Sequence, residues 1–150
     1  MGGVTVRVAT TDDLEAVVGI HAAHGSRPSG PPTPIEIETW QQMSRTEGLT
    51  VYLARSASEA LATASTIIMP SVTYGCAPTM FIEAVVVVPS RRREGIATAL
   101  LSRVLQDARA DGCHKVQLLS HKRHAAGGAH GLYRGLGFEP EAEGFRLYLR

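Results

Sequence analysis

The stretch VVVVPSRRREGIATALL, residues 85–101, constrains the fold more than any other part of the chain. A β-branched run closes on Pro89. After Gly95 the apolar residues take helical spacing: Ala97, Leu100, Leu101, Val104, Leu105 and Ala108. Asp111-Gly112 supplies a stop signal, and Lys115 to Ser120 (KVQLLS) reads as a second strand. Strand, helix and strand in this order imply a parallel pair joined by a right-handed crossover.

The loop inside that unit also carries chemistry. The first N–H groups of a helix lack intrahelical partners and sit at the positive end of its dipole, so they can hold an anion. Gly95 lets backbone approach a ligand closely, and Arg91, Arg92 and Arg93 add positive charge beside it. From these residues alone, a phosphate cradle and a solvated arginine-rich loop are both open. A P-loop and a dinucleotide fingerprint are excluded, because neither GxxxxGK[ST] nor GxGxxG occurs.

Upstream, Val4, Val6 and Val8 alternate with polar residues as in a half-buried strand. Thr10 or Thr11 then caps a helix whose inward stripe is Leu14, Val17, Val18, His21 and Ala22. His21 and His24 read as surface residues. The segment SRPSGPPTP, residues 26–34, is a loop that could wall a substrate site. A second helix is expected over Pro34 to Glu47. Strands follow over Leu49 to Arg55, Ala60 to Met69 and Met80 to Val88, joined as an antiparallel meander. After the crossover come a short helix through Ala129, Leu132, Tyr133 and Leu136, ended by Gly137, and a final strand with Phe145, Leu147 and Leu149 on one face. The fold class is therefore α/β (α+β) with a mixed sheet, in one domain over residues 1–150.

Bulk properties narrow the function classes. The 150 residues carry a formal net charge of +1, thin support for a nucleic-acid partner. No apolar run approaches the roughly 18 residues of a membrane span. The N-terminus lacks the apolar core of a signal peptide, and Cys76 and Cys113 show no metal-ligand spacing. The expectation is a cytoplasmic protein with neither membrane nor nucleic-acid partner and no metal.

Arg92-Arg93-Glu94-Gly95-Ile96-Ala97 resembles the [QR]xxGx[GA] acetyl-CoA motif of the GNAT superfamily of N-acyltransferases. Gly131-Leu132-Tyr133-Arg134-Gly135-Leu136-Gly137-Phe138 resembles the family's second signature, a tyrosine on a short helix followed by a Gly-Phe pair. The runs Ile82 to Val87 and Asp111 to Val116 are partly similar to glucosamine-6-phosphate N-acetyltransferases, the small-molecule branch. The resemblance implies a mostly antiparallel sheet with one splayed parallel pair, acetyl-CoA as co-substrate, a small-molecule amine acceptor and a homodimer; acetylation of a protein lysine or N-terminus, or CoA binding without catalysis, is the alternative.

The resemblance also implies site residues. The backbone of Val86, Val87 and Val88 contacts pantetheine, with one N–H, that of Val86, polarising the thioester carbonyl. The N–H groups of Arg92, Arg93, Glu94, Gly95, Ile96, Ala97 and Thr98 take the pyrophosphate, while Arg91 meets the 3′-phosphate or solvent. Tyr133 protonates the leaving thiolate. Glu83 accepts the amine proton through water, or else points to the outer face and pairs with a cation; His121 or His124 is an alternative base. One departure from the pattern is Ala126 where many relatives have asparagine, followed by Gly127-Gly128.

Overall fold

The computed structural model describes residues 3–122 and 128–150. The expectations that rest on His124, Ala126 and Gly127 lie outside those residues. The chain forms two compact units, residues 1–118 and 119–150.

The first unit holds a five-stranded sheet in the order β1 (Thr5–Val8), β2 (Leu49–Arg55), β3 (Ala60–Met69), β4 (Thr79–Val87) and β5 (Lys115–Leu118). The first four strands pair antiparallel, and β4 pairs with β5 in parallel. This is the expected mixed sheet, with the crossover helix α3 (Ile96–Ala110) between its two parallel strands.

Helices α1 (Leu14–His24) and α2 (Pro34–Arg45) precede β2. Both start on reciprocal caps. Thr10 with Asp13 closes a single 3-10 turn that runs into α1, and Thr33 with Glu36 caps α2, with Pro34 in the first helical position. Asp13 also accepts two bonds from the Arg7 guanidinium, at 2.7 and 2.9 Å. That pairing holds its carboxyl well below the usual carboxylate range.

The core lies on both faces of the sheet. On one, Val17, Ile20 and Trp40 pack with Val51, Leu53, Val86 and Val88. The predicted α1 stripe was too narrow, because Ile20 is buried as well. Trp40 satisfies its indole N–H on Thr11 O at 3.2 Å. On the other face α3 buries Leu100, Leu101, Val104 and Ala108. There the Tyr52 hydroxyl donates to Asp107 at 2.9 Å, Arg103 donates to the same carboxylate, and Arg103 Nη1 reaches Val6 O at 3.2 Å. One network thus joins β1, β2 and α3. Burial, then the Asp107 contact, pushes the Tyr52 hydroxyl far up, so it stays a donor. Cys113 N–H bonds Ala108 O and Gly112 N–H bonds Arg109 O, so the Asp-Gly stop is a Schellman cap.

The second unit contains α4 (Gly128–Gly135). The predicted final strand is not formed: the segment after Glu141 has no strand partner, and Phe145, Leu147, Tyr148 and Leu149 are 78–89% exposed. Alternation is a property of packed strands, and without a ladder or a covering layer it stabilises nothing.

Tyr52→Phe removes one hydrogen bond to a charged acceptor while keeping the ring. It should cost about 1.5–3 kcal/mol, read as a lower urea midpoint with an unchanged slope.

Candidate active site

The parallel pairing ends at Ile82 opposite Leu118, while β4 continues to Val87. At the same place β4 carries an irregularity against β3. Ser65 faces Glu83 but Thr63 faces Val86, so three residues on β4 span two on β3. Within this bulge Ala84 holds φ = +53°, a left-handed backbone that alanine rarely adopts. The extra residue reverses the inside–outside alternation and delivers Val86 and Val88 into the α1–α2 core.

The bulge also decides which amides are free. Val88 N–H donates to Leu61 O on β3 at 2.9 Å. Successive strand amides point to opposite edges, so Val86 N–H also turns toward β3. Val85 and Val87 then present theirs to the edge that β5 has left. The sequence reading had assigned Val86 N–H to the thioester; one position of strand alternation separates it from the open edge.

A single 3-10 turn, Pro89–Arg91, leads from β4 into the arginine loop. Arg93 and Gly95 both adopt left-handed backbone, at φ = +65° and +77°. Gly95 is the N-cap of α3, and no side chain caps the helix. The first-turn N–H groups of Ile96, Ala97 and Thr98 therefore have no side-chain acceptor. Arg91 is not at their disposal: it pairs with Glu94 at 2.9 Å and with Glu59 on the β2–β3 turn at 3.3 Å. It fastens the loop. Arg92 and Arg93 are exposed.

A cavity of about 300 Å³ opens between α1 and α2, with Val51 and Ser65 on its sheet side. The register places Val51, Ser65 and Glu83 in one row on this face. Exposed Glu83 thus stands beside the cavity row and directly before the bulge. The proline loop above is tied down by Arg27. Its guanidinium donates to both Glu36 oxygens, at 2.9 and 2.8 Å, and to Gly30 O and Pro31 O. Hydrogen bonds first from Arg27 and then from Thr33 N–H pull the Glu36 carboxyl down to about 2.

In the second unit Tyr133 is half-buried, and burial pushes its hydroxyl up, which keeps it protonated at neutral pH. Phe138 N–H bonds Tyr133 O at 2.9 Å and Gly137 N–H bonds Arg134 O at 3.0 Å, with Gly137 at φ = +95°. This is a second Schellman cap. The Tyr133 and Phe138 rings meet edge to face across it, with centroids 5.9 Å apart. The Tyr…Gly-Phe signature thus closes a helix and fixes the tyrosine ring against its own C-terminus. His121 is exposed. Among the described residues no group of three or more His, Cys, Asp or Glu is placed to hold a metal.

The site thus combines an open strand edge, an uncapped helix start and an adjoining cavity. The family model of the acetyltransferase (GNAT) family matches residues 15–138. The chain belongs to that family. It is an N-acetyltransferase by this membership, and the family uses acetyl-CoA. No curated protein sequence matches the chain.

Among solved structures, one described as a transcriptional regulator from Bacillus halodurans C-125 is 25% identical, with a TM-score of 0.88 over 98% of this chain and 100% of that one. A glucosamine-6-phosphate N-acetyltransferase from Arabidopsis thaliana shares the fold at 17% identity and a TM-score of 0.81, covering 99% of each chain. The aminoglycoside N-acetyltransferase AAC(6')-Iy, solved with CoA, does so at 22% and 0.79, covering 100% of this chain and 96% of that one.

What the sequence reading missed are the Ala84 bulge, the Glu59–Arg91 clasp and the Arg27–Glu36 lock. The Thr33-x-x-Glu36 spacing signals the cap but gives no sign of Arg27.

The Glu36 carboxyl is depressed in the folded state, so its contribution is complete above about pH 4.5 and is lost as pH falls through about 2. Glu36→Gln should therefore lower the urea midpoint at pH 7, and the gap from wild type should narrow as the pH falls from 4.5 toward 2.

Proposed function

We propose that this acetyltransferase transfers the acetyl group of acetyl-CoA to the primary amine of a small molecule, by direct attack in a ternary complex. The observation that carries this is the open β4 edge running into an uncapped helix start at Gly95. Pantetheine is a chain of amides, which an unpaired strand edge can hold as a further strand would be held. The pyrophosphate that follows is an anion, which the N–H groups of residues 92–98 and the helix dipole favour. Arg92 and Arg93 add charge from the solvent side.

At the reacting end the edge amides of Val85 and Val87 take the role that the sequence reading gave to Val86. An N–H aimed at the thioester oxygen stabilises the negative charge that develops as the amine attacks. The nitrogen lone pair forms the new C–N bond, the C–S bond breaks, and the acetyl group leaves coenzyme A as thiolate. Tyr133, kept protonated by burial, supplies a proton to that sulfur. An alkyl amine with a pKa near 10.4 is about one part in 2,500 free base at pH 7, a barrier contribution of about 4–5 kcal/mol. Glu83, beside the cavity row, accepts the ammonium proton through water.

The cavity between α1 and α2 is the acceptor site in this reading. Its small volume and the fastened proline loop favour a small molecule over a polypeptide. The exposed Phe145, Leu147, Tyr148 and Leu149 support the homodimer that the resemblance implies, since self-association would cover them.

Two variants test the chemistry. Gly95→Glu puts a carboxylate and a strained left-handed residue at the helix start, and should abolish the heat of acetyl-CoA binding in calorimetry while the fold persists in circular dichroism. Tyr133→Phe should lower kcat by about 100- to 10,000-fold in a thiol-release assay, with acetyl-CoA affinity within about threefold of wild type. Undiminished turnover in Tyr133→Phe removes the acid role.

A further inference from the structure

The cavity between α1 and α2 carries a statement about the acceptor's chemistry. Its walls are mainly apolar: Val17, Val18, Ile35, Trp40, Met43 and Val51. Among the described lining residues the one carboxylate is that of Glu36: the Arg27 guanidinium takes both oxygens, and Thr33 N–H and hydroxyl add two further bonds to Oε1. An acceptor with several ammonium groups finds no unpaired carboxylate among the described lining residues. Arg27 is equally committed, to Glu36 and two carbonyls, so a phosphorylated acceptor finds no unpaired lysine or arginine among the described lining residues. Both charged classes would lose hydration without compensation.

One ionisable wall residue stays available. The Ser26 hydroxyl donates its only proton to His21 O at 3.0 Å. Toward His21 Nδ1, 3.3 Å away, the same oxygen can therefore only accept. With the hydroxyl so placed, Nδ1 carries the ring proton and Nε2, which has no hydrogen-bond partner among the described residues, is the acceptor. Burial first, then His24 and Arg27 nearby, lower the ring's pKa and keep it neutral. Glu36, the remaining charged group on the cavity wall, is held by Arg27. A neutral imidazole nitrogen on an apolar wall is an acceptor for a ligand's O–H or N–H.

We propose that the cavity takes a monoamine with an apolar body ending in a hydrogen-bond donor, and that His21 Nε2 reads that donor. The proposal rests on the acetyltransferase reading above and narrows it to one substrate class. Glu83, beside the cavity row, is then matched to a single ammonium.

The test is a thiol-release assay with acetyl-CoA and four amines: tyramine, 2-phenylethylamine, glucosamine 6-phosphate and kanamycin. Tyramine should show at least tenfold higher kcat/KM than either sugar. His21→Phe keeps an apolar wall and removes the nitrogen. It should cut kcat/KM for tyramine about tenfold and leave 2-phenylethylamine within threefold. Thr39→Trp, at an exposed position on the cavity rim, should raise KM for both arylalkylamines with acetyl-CoA affinity unchanged.

Preference for either sugar, equal loss of both arylalkylamines in His21→Phe, or unchanged KM in Thr39→Trp overturns the proposal. So does a wild type that binds acetyl-CoA in calorimetry yet turns over none of the four. A wild type that binds no acetyl-CoA takes down the acetyltransfer reading as well, which separates the two failures.

Discussion

β4 leaves β5 after Ile82, and everything functional in the first unit follows from that parting. Two parallel strands that stayed paired would satisfy each other's amides and offer a ligand nothing. Here the ladder stops at Ile82 and Leu118, and the bulge at Ala84 turns the continuing strand. A left-handed alanine costs on the order of 1–2 kcal/mol relative to ordinary backbone. The return is visible in the packing on either side. Val86 and Val88 reach the core, and the neighbouring amides reach the open edge.

The other elements hold this edge in place. Arg91 clasps the arginine loop to Glu59 on the β2–β3 turn, so the helix start is presented from a fixed position. Behind it, Tyr52, Asp107 and Arg103 tie α3 to β2 and β1. On the opposite face Arg27 and Glu36 hold the proline loop over the cavity. Each of these is a charge-assisted contact, and those of Arg91 with Glu59 and Tyr52 with Asp107 join segments distant in sequence. They fix geometry at the surface, while Leu53, Leu100, Leu101 and Val104 supply the apolar burial that makes the unit stable.

What the sequence disclosed and what it concealed divide along the range of the interactions. The crossover from β4 through α3 to β5 was legible, because β-branching, helical spacing and the Asp-Gly stop are local signals. So were the cap of the first helix and the cofactor motifs, whose chemistry resides in adjacent residues. The bulge was not legible, since alanine announces no positive φ and the register belongs to two strands at once. By strand alternation the open edge carries the amides of Val85 and Val87, next to the Val86 position that the resemblance implied. Arg91 read as facing the 3′-phosphate or solvent, because its partner Glu59 became visible only in three dimensions. Phe145, Leu147 and Leu149 show the reverse error: a correct local pattern with no partner strand to realise it.

The central claim is that one backbone edge and one helix start form a single cofactor cradle. Amide hydrogen–deuterium exchange, with and without saturating acetyl-CoA, tests it directly, because the cradle is made of N–H groups. The account predicts that exchange slows in two separate segments, residues 85–88 and residues 92–98, with residues 70–78 at the β3–β4 turn unaffected. Binding that leaves both segments at their unliganded rates would contradict it.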